Sequence, residues 1–255
     1  MDNITPLPFP ANETVRDYAP GSPEAESLHG MLKDIRSIEI ESPLVIGGQE
    51  VRTGNTAQCV IPHEHGTVLA SYHQAGPKEV EAAAQAAIAA QRDWARLPWE
   101  ERIAVFLRAA DMLAGPRRDL LNAATMQNMS KTCYQAEIDS ACELVDFLRF
   151  NCHFASRIYQ EQPASAPGMW NRLDYRPLEG FVFAVTPFNF TAIAGNLRTA
   201  AAMLGVVALW TPASAAVLSS WRFLRLLRGG GLPEGVINVL RGRGSLGGVR
   251  GLGRG

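Results

Sequence analysis

With 255 residues, 47% of them hydrophobic, and 24 basic against 25 acidic side chains, the chain is long enough for a real core and carries a formal charge of only -1. That balance argues against nucleic acid or an anionic membrane surface as a partner. No run of about 18 apolar residues occurs, so no spanning helix is expected. The first twenty residues hold acids, prolines and one basic residue, Arg16, rather than a targeting signal, which points to a cytoplasmic protein.

Residues 1–40 are polar and Pro-rich, with one amphipathic stretch from Glu24 to Ile40. The string Pro43-Leu-Val-Ile-Gly-Gly-Gln-Glu-Val-Arg-Thr-Gly54 sets two short apolar runs about a Gly-Gly pair and predicts a β-hairpin. A second strand pair is expected over Ala57–Tyr72. Helical text begins at Pro77. Lys78–Leu97 is Ala-rich with acids near its start, as suits a helix N-terminus. Ile103, Phe106, Leu107 and Ala110 follow the i, i+3, i+4, i+7 spacing of an amphipathic helix over Trp99–Ala114. Two more helices are predicted over 117–128 and 134–161, the last carrying Ile138, Cys142, Val145, Leu148 and Phe150.

The pattern changes at Pro167. Leu173 and Tyr175 alternate with polar residues up to Gly180, as an exposed strand would. Phe181–Val185 is a continuous apolar run, the mark of a strand buried on both faces. Helix 191–204, apolar run Val206–Trp210, helix 213–228 with Gly229-Gly230-Gly231 as its stop, and apolar run Val236–Leu240 follow. Strand, helix, strand, helix, strand is the first half of a doubly wound parallel sheet, a unit that commonly binds a mononucleotide at the C-terminal ends of its strands. Such a half is expected to leave the edge of its last strand and one helical layer exposed. From Arg241 the text alternates Gly with Arg and Leu and predicts no regular structure. The expected segments are therefore 1–76 with β-hairpins, 77–166 as a helical layer, 167–180 as a β ribbon, 181–240 as a partial nucleotide-binding unit and 241–255 as a tail. Cys59, Cys133, Cys142 and Cys152 show no CxxC spacing and read as reduced structural thiols, with no metal site expected.

Several strings carry a resemblance. They are Thr186-Pro-Phe-Asn-Phe-Thr-Ala-Ile-Ala-Gly-Asn-Leu197, Ser130-Lys-Thr with Gln135-Ala-Glu-Ile-Asp139, Asp174-Tyr-Arg-Pro-Leu-Glu-Gly180 and Gly231-Leu-Pro-Glu-Gly-Val-Ile-Asn238. Together they resemble the L-glutamate-γ-semialdehyde (1-pyrroline-5-carboxylate) dehydrogenase branch of the aldehyde dehydrogenase superfamily, N-terminal half only, over about residues 40–244. The resemblance implies an α/β, truncated aldehyde dehydrogenase-like fold. In it, N-terminal strands and a helical layer precede half of a doubly wound parallel sheet, and 167–180 is an oligomerisation ribbon. It implies NAD as cofactor and L-glutamate γ-semialdehyde as substrate, oxidised to L-glutamate in proline degradation, with a homo-oligomer or assembly with a full-length subunit as partners. Asn189 matches the oxyanion-hole Asn, whose amide N–H meets charge developing on the aldehyde oxygen. Taken alone, Asn189 reads more readily as the cap of the helix beginning near Thr191. Phe190 and Glu143 match substrate-side positions, with a core Phe and a solvated helix acid as their plain alternatives. Thr186, Pro187 and Phe188 match the backbone lining the nicotinamide side. Gly242 and Gly244 match glycines that approach the cofactor's phosphates.

Three departures stand out. No cysteine occupies the family's nucleophile position, and the Glu base is missing as well, so no acyl-enzyme is expected from this chain alone. The family's Trp-Lys-Pro-Ser reads Trp210-Thr-Pro-Ala213 here, which removes two contacts to the adenosine ribose, and losing a hydrogen bond to a charged group costs roughly 1.5–3 kcal/mol. Arg198 stands where the family usually has Pro. Three readings follow from these features: an NAD-dependent dehydrogenase by descent, a non-catalytic partner of a full-length subunit, and a fragment without a function of its own.

Overall fold

A computed structural model describes residues 6–242 and shows two sheets inside a shell of helices. Helix α1 (Pro23–Ser37) starts at Ser22, whose hydroxyl accepts from the Ala25 N–H, with Pro23 and two acids in its first turn. Strands β1 (Ile40–Ser42), β4 (Thr56–Ile61) and β5 (Glu64–His73) make a three-stranded sheet in the order β1-β5-β4. The predicted hairpin is formed by β2 (Leu44–Ile46) and β3 (Gln49–Val51). Its turn residues Gly47 and Gly48 have φ of +56° and +82°, and a Cβ at Gly48 would lie 2.4 Å from Glu234, so the turn requires glycine there.

Helices α2 (Pro77–Arg96), α3 (Trp99–Ala114) and α4 (Arg118–Met129) follow the expected pattern. The Glu79 carboxylate accepts the Gly76 N–H and fixes the start of α2. On α3, Ile103, Phe106, Ala110 and Leu113 are buried on one face, while Leu107 is only partly covered. The single helix predicted over 134–161 is α5 (Cys133–Ala136) and α6 (Leu144–Gln160) joined by a π-helical turn, Glu137–Glu143. A π turn inserts one residue into a helix and redirects the side chains that follow, and it recurs at functional sites.

Strands β6 (Phe181–Val185), β7 (Val207–Thr211) and β8 (Ile237–Val239) run parallel, with α7 (Thr191–Met203) and α8 (Val217–Gly229) as crossovers. A one-turn 3-10 helix, Ser214–Ala216, leads into α8. The half-sheet is thus present, but its edges differ from expectation. The full order is β3-β2-β8-β7-β6, because β2 joins β8 antiparallel through Val45 and Val239. The last parallel strand is therefore covered, and the sheet crosses the expected boundary between segments 1–76 and 181–240. The open edge is the first strand, β6. Phe181, Val182 and Phe183 are only half-buried and Val185 is 51% exposed, so this run is not buried on both faces. All five residues of β7, with neighbours on both sides, are buried.

Two further expectations are corrected. Residues 161–180 form no strand, because an extended segment becomes one only against a partner edge, and no described segment pairs with it. The tail expected from residue 241 begins later. Arg241 is buried, its Nη1 donates to the Pro43 carbonyl at 2.7 Å, and its own carbonyl accepts the Ala75 N–H at 2.7 Å. The rest of that tail lies outside the described residues.

The polar N-terminal segment is also part of the fold. The Glu13 backbone N–H and Asn12 Nδ2 donate to Asp146 of α6, and the backbone N–H of Arg16 and the hydroxyl of Tyr18 both donate to Glu137. Glu137 and Arg118 are fully buried and paired, Asn122 Nδ2 donates to Glu137 at 2.8 Å, and Arg118 reaches Glu13 at 2.6 Å.

Candidate functional site

The turn between β6 and α7 carries the residues singled out by sequence. The Thr186 N–H donates to the Thr211 carbonyl at 3.2 Å, extending the β6–β7 ladder by one bond. Its hydroxyl accepts from Trp210 Nε1 at 2.9 Å, so the Thr186 side chain is committed and buried, and only its backbone faces the turn. Pro187 is partly covered, while Phe188, Asn189 and Phe190 are exposed. Among the described residues Asn189 has no side-chain hydrogen-bond partner, and it does not cap α7.

The capping is done from elsewhere. Asp139, in the π turn, accepts the N–H groups of Thr191 at 3.0 Å and Ala192 at 2.9 Å, and Lys131 donates to it at 2.7 Å. A carboxylate here satisfies two first-turn donors and meets the positive end of the helix dipole. Lys131 also lies 4.0 Å above the ring of Phe190, within cation–π range. Thr125 and Thr191 share a hydroxyl bond of 2.8 Å that ties α7 to α4. With α7 capped by Asp139, the exposed Asn189 side chain is not needed for that role.

Glu143 closes the same π turn. Burial, then the charge of Asp139, raises its carboxyl above the ordinary value, and Lys131 opposes them. Glu143 thus feels the charges of Lys131 and Asp139, while Phe190 packs against Lys131; Glu143 itself lines a separate pocket with Asp146 and Phe147. Phe190, Ile193 and Leu197 lie on one face of α7 at i, i+3 and i+7, each at least 36% exposed, an apolar surface beside the amide. Lys131 and Asp139 lay within strings that signalled the family, yet their spacing gave no hint of a role, because the capped helix begins more than fifty residues later.

Gly242 stands apart from this group, beyond the end of β8. Its φ is +115°, and a Cβ would lie 3.0 Å from Gln74 Cβ, so a side chain is disfavoured there. Gly244 lies outside the described residues. At the end of β7, the Thr211 hydroxyl is buried without a partner, and Ala213 adds no polar group. The residues at 211 and 213 thus differ in chemistry from the Lys and Ser that the resemblance would place there.

The cysteines do not enter the site. All four are free. Burial, together with the charge of Glu137, pushes the Cys142 thiol up to about 12, and burial does the same to Cys152. Burial also raises Cys59 and Cys133. A thiolate nucleophile requires the opposite shift.

The sequence matches the model of the Aldehyde dehydrogenase family over residues 50–250. It is 46% identical over 238 residues to the delta-1-pyrroline-5-carboxylate dehydrogenase of Agaricus bisporus, covering 92% of this chain and 44% of that protein. It is 44% identical over 236 residues to the mitochondrial delta-1-pyrroline-5-carboxylate dehydrogenase of Homo sapiens, covering 92% of this chain and 42% of that protein. The fold is similar to a crystal structure of the Mycobacterium tuberculosis delta-pyrroline-5-carboxylate dehydrogenase bound with NAD. That match has a TM-score of 0.93 and 51% identity, over 96% of this chain and 46% of that one. The chain thus spans less than half the length of these relatives. The match over most of its length, and the α/β architecture shared with the solved structures, place the chain in the aldehyde dehydrogenase family.

Proposed function

We propose that this chain is the N-terminal part of an NAD-dependent dehydrogenase of proline degradation, which oxidises L-glutamate γ-semialdehyde, the open form of 1-pyrroline-5-carboxylate, to L-glutamate. The observation that carries the reading is the Asn189 amide, exposed on a turn whose following helix is capped by Asp139 and not by Asn189 itself. Held there, its N–H can donate to an aldehyde oxygen as negative charge develops, with no reorganisation of the turn. The Lys131–Asp139 pair positions that turn, and Phe190 with Ile193 and Leu197 offers an apolar wall beside it. Glu143, raised by burial, supplies a carboxyl at the edge of the same region. NAD, when bound, accepts a hydride, and the backbone of Thr186, Pro187 and Phe188 would border its nicotinamide, with Gly242 near its phosphates. The identity to relatives that bear this enzyme's name supports the substrate, and the same reading has the protein in the cytoplasm.

The chain by itself is catalytically silent in this reading, since none of its cysteines matches the family's nucleophile and burial raises all four thiols. With NAD and glutamate semialdehyde, NADH formation followed at 340 nm is expected to stay at background. A turnover rate clearly above it would reveal a nucleophile outside this account. NAD binding is a separate matter. Restoring the family's side chains with Thr211→Lys and Ala213→Ser is expected to tighten NAD at least tenfold, measured by equilibrium dialysis, because each restored ribose contact is a hydrogen bond of roughly 1 kcal/mol or more. Equal affinity in the two proteins would show that the ribose is held elsewhere.

A second reading, a non-catalytic partner of a full-length subunit, is favoured by residues 161–180. They form no strand in the single chain and expose Trp170, Leu173 and Leu178 by 69%, 51% and 69%. An extended, apolar, unpaired segment is suited to adding a strand to another subunit's sheet.

A further inference from the structure

A cavity of about 980 Å³ opens at the end of α8 remote from the turn that bears Asn189. A crossover helix returns antiparallel to its strands. Its C-terminal turns therefore sit at the starting ends of β7 and β8, opposite the nucleotide crevice. The hairpin turn at Gly48, the end of α3 and the start of α4 complete the walls.

The charges in this cavity are unbalanced. Arg117, Arg222, Arg225 and Arg228 line it, against two acids, Glu50 and Glu234. Arg228 is engaged, pairing with Glu234 at 3.5 Å and donating to the Gly48 carbonyl at 2.9 Å. Glu50 is shared between Arg52 at 3.1 Å and Arg225 at 3.9 Å, so Arg225 holds only a weak claim on it. Arg117 and Arg222 have no acidic partner among the described residues, and Arg222 Nε is buried without any hydrogen-bond acceptor. Burial lowers the affinity of Arg222 for its proton, and the neighbouring charges of Arg225 and Arg117 lower it further. Arg222 thus shares the cavity with two further guanidinium groups, Arg225 and Arg117, whose charges oppose its own. Such an arrangement is unfavourable by itself and becomes favourable when an anion sits between the groups. The N-terminus of α4, which carries no side-chain cap, adds its positive dipole end to the same wall. Planar guanidinium forks match tetrahedral and carboxylate oxyanions through paired hydrogen bonds.

We propose that this arginine-lined cavity binds a small multivalent oxyanion of the phosphate class, independently of the cofactor crevice. The neutral walls contributed by Met112, Leu121 and Leu226 exclude water on one side and strengthen the charge interaction.

The probe is inorganic pyrophosphate, titrated into the full chain by calorimetry at fixed ionic strength. One-to-one saturable binding is expected. Arg222→Gln should weaken it at least tenfold, and so should Arg225→Gln, whose side chain is exposed. Arg176→Gln, which removes one positive charge from an exposed site far along the chain, should change it less than twofold. Three results would overturn the proposal: absence of saturable binding, equal weakening by all three variants (a general charge effect), or displacement of pyrophosphate by NAD, which would put the anion in the nucleotide crevice.

Discussion

Arg118→Met is expected to lower the melting temperature by roughly 10 °C and to free the N-terminal segment. Arg118 is 1% exposed and Glu137 is fully buried, and the two are paired directly. Removing the guanidinium leaves Glu137 as an uncompensated buried charge, which typically costs about 3–5 kcal/mol. In a chain of this size each kcal/mol corresponds to about 2–4 °C. Arg118 also holds Glu13 at 2.6 Å and the Thr14 carbonyl at 2.6 Å, so residues 12–18 lose their central anchor. Trypsin should then cut after Arg16 under conditions where the parent chain resists. Adding Glu137→Leu to Arg118→Met is expected to recover much of the lost stability, since it removes the orphaned charge. A double variant no more stable than the single one would show that the loss comes from packing and not from the unpaired carboxylate. The same cluster makes stability depend on acid. Burial by itself would raise Glu137, but hydrogen bonds from Arg118, the Arg16 N–H, Asn122 and Tyr18 outweigh it and hold the carboxyl below its ordinary value. Glu13 is lowered in the same way. A carboxylate with a lowered folded-state pKa contributes fully above its unfolded pKa, about 4.3, and that contribution is lost as pH falls below it.

Arg198→Met is expected to raise stability by about 2 kcal/mol, or ~4–8 °C in melting temperature. Arg198 sits in the interior of α7 and is fully buried. Its guanidinium lies 3.1 Å above the ring of Trp210 and 4.9 Å from that of Phe223, and donates to the Ala194 carbonyl of the preceding turn. Nε and Nη2 have no acceptor among the described residues. Burial pushes its proton affinity well below the ordinary arginine value, so the charge is disfavoured where the fold puts it. The two aromatic faces offset part of that cost and the unmet donors do not. Methionine has similar reach, is flexible and brings no polar atoms. Arg198→Lys, which keeps a charge in the same place, should give no gain. A methionine variant that melts below the parent would mean that the contact with Trp210 outweighs the burial of charge.

Most elements could be read from spacing alone. Ile103, Phe106 and Ala110 report the buried face of α3 because the 3.6-residue period of a helix projects them together. Gly47-Gly48 reports the hairpin because a two-residue turn needs positive φ, which glycine adopts freely. The run Val206–Trp210 reports a strand, and β7 proves to be central and buried, whereas the equally apolar run Phe181–Val185 forms the half-exposed edge, so apolar text alone does not separate the two. The π turn over Glu137–Glu143 was not legible, because it changes one hydrogen-bond step without changing the apolar period.

The sequence by itself determined the order and type of most elements, the identity of the β6–α7 turn and the departures at Arg198, Thr211 and Ala213. All of these depend on local backbone preferences or on residues adjacent in the chain. Tertiary structure alone decided which edge of the half-sheet lies open, that Asp139 and not Asn189 caps α7, that the polar N-terminal segment is anchored by Arg118 and Glu137, and that four arginines share one cavity. Each of these joins residues far apart in sequence. Charge pairing and strand neighbours act through space, and no periodicity along the chain records them.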